Sequence, residues 1–156
     1  MEKATFAAGC FWGMEAAFRG VPGVVSVTVG YSGGTMENPG YGDVSTGTTG
    51  HAESVEITYD PAKATFNDLL TVFWKIHDPT TPGRQGPDIG SQYRSAIFYH
   101  NEAQRGAAED SKEKLGRSGR FKRDIVTEIS PATSFYPAEE YHQRYFEKQG
   151  GESCRS

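Results

Sequence analysis

Residues Ala4–Ala8 form a short apolar run that stops at Gly9. From Cys10 the spacing changes. Phe11, Met14, Phe18 and Val21 recur every three or four positions, the interval of one helix face. Gly20 and the Pro22-Gly23 pair close that helix. Val25, Val27 and Val29 then alternate with Ser26 and Thr28, and Val55, Ile57 and Tyr59 alternate with Ser54, Glu56 and Thr58, so both stretches read as strands. Between them, residues 30–50 form a loop with seven glycines and one proline. Asp60-Pro61 turns the chain, and Thr65 with Asp68 three positions on has the capping-box pattern of a helix start. Phe66, Leu69, Leu70, Phe73 and Ile76 supply the apolar stripe of that helix. A second loop, about 78–94, carries three prolines and three glycines. A strand at 96–100, a polar helix at 102–115, a strand at 125–129, a helix at 138–148 and a loose tail at 149–156 complete the pattern.

The leading order is strand, helix, strand, strand, helix, strand. It predicts an α+β fold with a ferredoxin-like, split βαβ core, to which a further helix and strand are added. At 156 residues, 36% of them hydrophobic and 12% aromatic, the chain can bury a core without metal or disulfide staples. The expectation is one domain, core 3–148 and flexible tail 149–156. The 19 glycines concentrate in the loops. A net charge of −4 and no basic stripe argue against nucleic acid as a partner. No apolar stretch reaches the roughly 20 residues of a membrane helix. Met1–Ala4 shows no signal-peptide pattern, so the expected compartment is the cytoplasm.

Two cysteines, Cys10 and Cys154, are too few for a disulfide scaffold. Cys10 lies where the first strand gives way to the first helix, and helix N–H groups converging there favour thiolate over thiol. A reactive and a structural thiol are both compatible with that position. Phe11 follows it on the helix stripe. Trp12 lies off the stripe and is the better candidate for the wall of a pocket. Glu53 shares the strand face of Val55, Ile57 and Tyr59, so its carboxyl points inward, which favours the neutral acid and makes it a candidate proton donor. Tyr41 in the first loop, with Asp88 and Tyr93 in the second, could add polar groups around a substrate oxygen. His51, His77, His100 and His142 are too scattered for a metal site, and no glycine-rich phosphate loop is present. His51 is the one loop histidine that could serve a thioester hydrolase as base; His142 reads as structural or as a support to the site.

Taken with their order, GCFWGMEAAF at 9–18, GTTGHAE at 47–53 and QGPDIGSQYRS at 85–95 resemble the A class of peptide-methionine sulfoxide reductases. NPGYGDV at 38–44, YDP at 59–61 and AEEYHQ at 138–143 fit the same family, so the resemblance spans nearly the whole chain. It implies a two-layer domain with a mixed sheet and much coil. It also implies reduction of the S epimer of methionine sulfoxide, in proteins and as the free amino acid, without metal or organic cofactor. Under it Cys10 is the nucleophile, Phe11 and Trp12 hold the substrate methyl group, and Glu53 gives a proton to the sulfoxide oxygen. Tyr41, Asp88 and Tyr93 surround that oxygen. Cys10 passes through a sulfenic acid to a disulfide that thioredoxin reduces. Many members carry a cysteine where this chain has Ser45, which leaves Cys154 as the internal resolving thiol. Pro87 stands where asparagine is common. A monomer suits an enzyme that must admit oxidised proteins and peptides. Two other readings of the residues stay open: a cysteine hydrolase or amidase, and a non-catalytic methionine-binding redox sensor.

Overall fold

The computed structural model describes residues 1–46, 49–139 and 142–143. The chain starts with β1 (Glu2–Ala8), which enters α1 (Phe11–Arg19) through a tight turn. Gly9 makes that turn at φ +89°, a left-handed conformation that a Cβ would oppose. Then come β2 (Val24–Ser32), the short α2 (Tyr41–Ser45), β3 (Ala52–Tyr59) and α3 (Phe66–Lys75). β4 (Arg84–Gln85) and β5 (Asp88–Ile89) form a small hairpin, and a 3-10 turn at Ser91–Tyr93 leads into β6 (Ser95–Tyr99). α4 (Glu102–Arg117), β7 (Glu128–Pro131) and β8 (Tyr136–Pro137) follow.

The main sheet has the order β7-β6-β1-β3-β2-β8. Its four inner strands are the split βαβ core, antiparallel throughout. β7 joins β6 in parallel and β8 joins β2 antiparallel, so the sheet is mixed. The helices lie on one face. There Phe6 of β1, fully buried, stacks on Phe18 of α1 at 5.4 Å and on Phe73 and Phe66 of α3 at 5.1 and 5.7 Å. The other face is lined by a smaller cluster, Ala7, Ala52, Ala96 and Phe98. Thr65 caps α3 as its spacing predicts: its hydroxyl accepts the Asp68 N–H at 3.1 Å, and the Asp68 carboxylate accepts the Thr65 N–H at 2.8 Å.

Several boundaries differ from the sequence reading. β2 does not stop at Gly30 but continues to Ser32, because Tyr31 and Ser32 pair with Glu53 and Ala52 of β3. The last parallel strand begins at Glu128 instead of 125. Val126 spends its N–H on the Pro79 carbonyl at 2.8 Å, so that stretch is tied to the second loop before the sheet can take it. The expected helix at 138–148 falls mostly outside the described residues; Ala138 and Glu139, its first two, follow β8 without helical structure. The tail 149–156, with Cys154, lies outside them too.

Candidate active site

Cys10 is the N-cap of α1, with extended backbone angles and 9% of its surface exposed. The first amide of the helix is the Phe11 N–H. It donates to Glu53 Oε1 at 3.3 Å. A carboxyl group from the middle of the sheet therefore caps the helix whose first residues flank the thiol. Glu53 is 2% exposed. Burial first, and then the charge of Cys10, push its pKa from 4.5 up to about 8, against the opposing pull of the Phe11 N–H. At neutral pH Glu53 is a neutral acid. Since Oε1 accepts a hydrogen bond and Oε2 has no hydrogen-bond partner among the described residues, the proton belongs on Oε2.

Tyr41 opens α2, and Tyr93 ends the 3-10 turn before β6. Burial, followed by the Glu53 carboxylate, raises both hydroxyls above their ordinary pKa, and Cys10 and Asp88 add to each. Tyr93 also feels Tyr41. Asp88 lies on β5, opposite Gln85, and its charge adds to the rise at Glu53. Cys10, Glu53, Tyr41, Tyr93 and Asp88 come from five separate segments of the chain. They are close enough for each charge to bias the others' protons.

Beside them runs an aromatic wall. Phe11 and Trp12 lie 6.0 Å apart, centroid to centroid, and each lies 6.3 Å from Tyr41. Two members were not foreseen from the sequence as parts of the wall. Tyr31 packs on Phe11 at 5.7 Å, and it stands directly opposite Glu53 in the β2–β3 pairing. His142 is buried against Tyr41 at 4.4 Å, Trp12 at 5.4 Å and Phe11 at 5.5 Å. Burial lowers the His142 pKa, with partial opposition from Glu139, so its ring packs as a neutral surface. Extending the β2 alternation past Gly30 would have found Tyr31. No period in the sequence connects position 142 with 12 or 41.

His51 braces the first loop. Its Nε2–H donates to the Met36 carbonyl at 2.6 Å and its Nδ1 accepts the Gly34 N–H at 3.0 Å. With both ring nitrogens committed, the hydrolase reading loses its base. No group of three side chains suited to a metal occurs among the described residues, and no described helix is long and apolar enough to cross a membrane.

Comparison with known proteins covers the chain along its length. The family model "Peptide methionine sulfoxide reductase" matches residues 2–156. A peptide methionine sulfoxide reductase MsrA from Methanoculleus marisnigri is 60% identical over 156 residues, covering 100% of this chain and 95% of the relative. Among solved structures, reduced Mxr1 from Saccharomyces cerevisiae superposes with a TM-score of 0.91 at 37% identity, over 98% of this chain and 88% of that one. A structure of Mxr1 in complex with Trx2 gives a TM-score of 0.67 at 27% identity, over 99% of this chain and 86% of that one. Identity sustained from one end to the other is a property of the whole chain and not of a single motif. The chain belongs to the peptide methionine sulfoxide reductase family and is an oxidoreductase that reduces methionine sulfoxide.

Proposed function

We propose that the chain acts on the S epimer, in proteins and as free methionine sulfoxide, through a cycle of thiol chemistry. The Cys10 thiolate attacks the sulfoxide sulfur while Glu53 Oε2 gives its proton to the oxygen. The oxygen then passes from the substrate sulfur to Cys10 Sγ: the substrate sulfur–oxygen bond and the transient sulfur–sulfur bond break, a Cys10 sulfur–oxygen bond forms, methionine leaves with the electron pair of the sulfur–sulfur bond, and Cys10 is left as a sulfenic acid. The Cys154 thiol then displaces that oxygen as water and forms a disulfide with Cys10. Thioredoxin reduces the disulfide and returns both thiols. Overall, one sulfoxide and one dithiol become one thioether, one disulfide and water.

The observation that carries this reading is the position and protonation of Glu53. A sulfoxide oxygen is a poor leaving site until charge growing on it is neutralised, and a buried acid beside the thiol does that. Tyr41 and Tyr93, held as neutral hydroxyls, are suited to donate to the same oxygen, with Asp88 near enough for its charge to help keep both protonated. The Phe11–Trp12 wall supplies the apolar surface a methyl group needs. Thioredoxin as reductant is supported by the yeast relative's complex with Trx2. A thiol cycle of this kind runs in a reducing compartment, so the cytoplasm and a monomeric enzyme are part of the proposal.

The test is mass spectrometry after one equivalent of methionine sulfoxide. The expected product has lost two hydrogens and yields a Cys10–Cys154 linked peptide. Cys154→Ser should stop after one turnover, and Cys10→Ser should do nothing, while His51→Ala stays active. Full thioredoxin-driven turnover by Cys154→Ser would overturn the resolving role. Sulfoxide consumption by Cys10→Ser would overturn the mechanism.

A further inference from the structure

The five-residue helix that carries Tyr41 is too short to hold itself in place: one turn of helix fixes several dihedrals for a single hydrogen bond. Of its residues only Val44 is buried. Its own bonds, Gly40 N–H to Asp43 Oδ2 at 2.9 Å and Ser45 O–H to the Tyr41 carbonyl at 2.7 Å, are joined by two from distant parts of the chain. At its start, the Tyr41 N–H donates to Glu139 Oε2 at 3.3 Å. At its end, the Ser45 carbonyl accepts Gln92 Nε2–H at 3.3 Å, from the residue next to Tyr93.

Glu139 does more than cap the helix. Its other oxygen, Oε1, accepts the Tyr31 O–H at 3.4 Å. One carboxylate therefore bridges β2 and α2 through the two tyrosines that pack against Phe11. The segment bearing Glu139 is itself fastened on both sides. Ala138 N–H donates to the Val29 carbonyl at 2.9 Å. Gln143 behaves as a substitute strand: Oε1 accepts the Val29 N–H at 3.0 Å, and Nε2 donates to the Val29 carbonyl at 2.9 Å. The approach requires a glycine in β2. A Cβ on Gly30 would fall inside contact distance of the Tyr136 carbonyl and the Phe135 ring.

We infer that Glu139 is a positioning residue for Tyr41: without touching the substrate, its carboxylate sets where the Tyr41 hydroxyl and the adjoining aromatic wall stand. The inference rests on the reading of Tyr41 as a donor to the sulfoxide oxygen. It explains why a carboxylate is used. A carboxylate presents two separated oxygens, one to the Tyr41 N–H and one to the Tyr31 O–H, and a charged acceptor makes the stronger bonds. A reacting group misplaced by about 1 Å can cost up to about 100-fold in rate.

The test is a set of variants with two readouts. Glu139→Ala should lower kcat about 10-fold, within the range expected for a misplaced group, with a smaller change in KM, because the methyl-binding rings Phe11 and Trp12 remain. Glu139→Gln should recover most of the loss, since its carbonyl can accept Tyr41 N–H while its amide donates to the Tyr31 oxygen. Glu139→Asp keeps the charge but shortens the reach, gives a smaller loss, and serves if the alanine variant is unstable. The deciding measurement is the double variant with Tyr41→Phe. If Glu139 acts through Tyr41, adding Glu139→Ala to Tyr41→Phe costs little more; full multiplication of the two losses overturns the inference. The second readout is Trp12 emission in a Trp74→Phe background. Glu139→Ala should shift it and Glu139→Gln should not. An unshifted emission with Glu139→Ala overturns the positioning role. Unchanged kcat in Tyr41→Phe alongside a shifted emission instead overturns the role of the Tyr41 hydroxyl and leaves the positioning of its ring standing.

Discussion

Replacing Glu53 with glutamine separates the proton from the shape of the side chain. The amide oxygen can still accept the Phe11 N–H, but nothing there titrates. In the wild type, the folded chain holds the Glu53 proton up to about pH 8, whereas the unfolded chain releases it near 4.5. Between those values the unfolded state binds fewer protons, so stability falls as pH rises from 4.5 to about 8 and the loss is complete above that window. The whole interval corresponds to at most about 5 kcal/mol. The loss amounts to about 1 kcal/mol at pH 5 and about 4 kcal/mol at pH 8. Urea unfolding of both proteins between pH 5 and 8.5 measures it. The gap between Glu53→Gln and wild type should widen by about 4 kcal/mol across that range, at unchanged m-value. The Cys10→Ser background should narrow it, because the thiol's charge is the second cause of the shift. Parallel stability curves would refute the account of Glu53 as a buried neutral acid. The same experiment bears on catalysis: wild-type turnover should fall above about pH 8 as the acid ionises, and the glutamine variant, although slower, should lack that descending limb.

His77 predicts the opposite slope. Burial holds its pKa down at about 4, with Nδ1–H given to the Phe73 carbonyl and Nε2 accepting from Ser95 Oγ. Stability should therefore be lost as pH falls from 6.5 to about 4, and His77→Gln should flatten that limb in thermal melts. Gly30→Ala drives a methyl group into the Tyr136 carbonyl and the Phe135 ring. It should cost about 1–3 kcal/mol in urea unfolding and lower activity by loosening the segment that bears Glu139.

The parts of the fold that could be read from the sequence are those with a period. Alternating apolar residues marked β2 and β3, the three-and-four spacing marked α1 and α3, and Thr65 with Asp68 marked a cap. The parts that could not be read have no period. α2, the β4–β5 hairpin and β8 are two to five residues long and cannot bury a face of their own. A side chain distant in sequence holds α2, Glu139 reaching Tyr41 across 98 positions, and Gln143 ties the segment after β8 to Val29 of β2 across 114. Ile125 and Val126 misled for a related reason, since their apolar character says nothing of the Pro79 carbonyl that claims the Val126 N–H.

The chemistry was more legible than the architecture around it, because it showed as a conflict. On the strand face of Val55, Ile57 and Tyr59 the Phe11 N–H needs only a neutral acceptor, and ionising a carboxyl group there costs several kcal/mol. A sequence shaped by stability alone would place an amide or an apolar residue at position 53. The same burial that weakens the fold at high pH keeps the proton on Oε2 at neutral pH, beside the thiol at the head of α1. Local disagreement between a residue and its element is thus the informative signal here. It singles out the group to which the proposed mechanism gives the proton. Where the partners of that group stand is decided by contacts such as Glu139 to Tyr41, which no local pattern records.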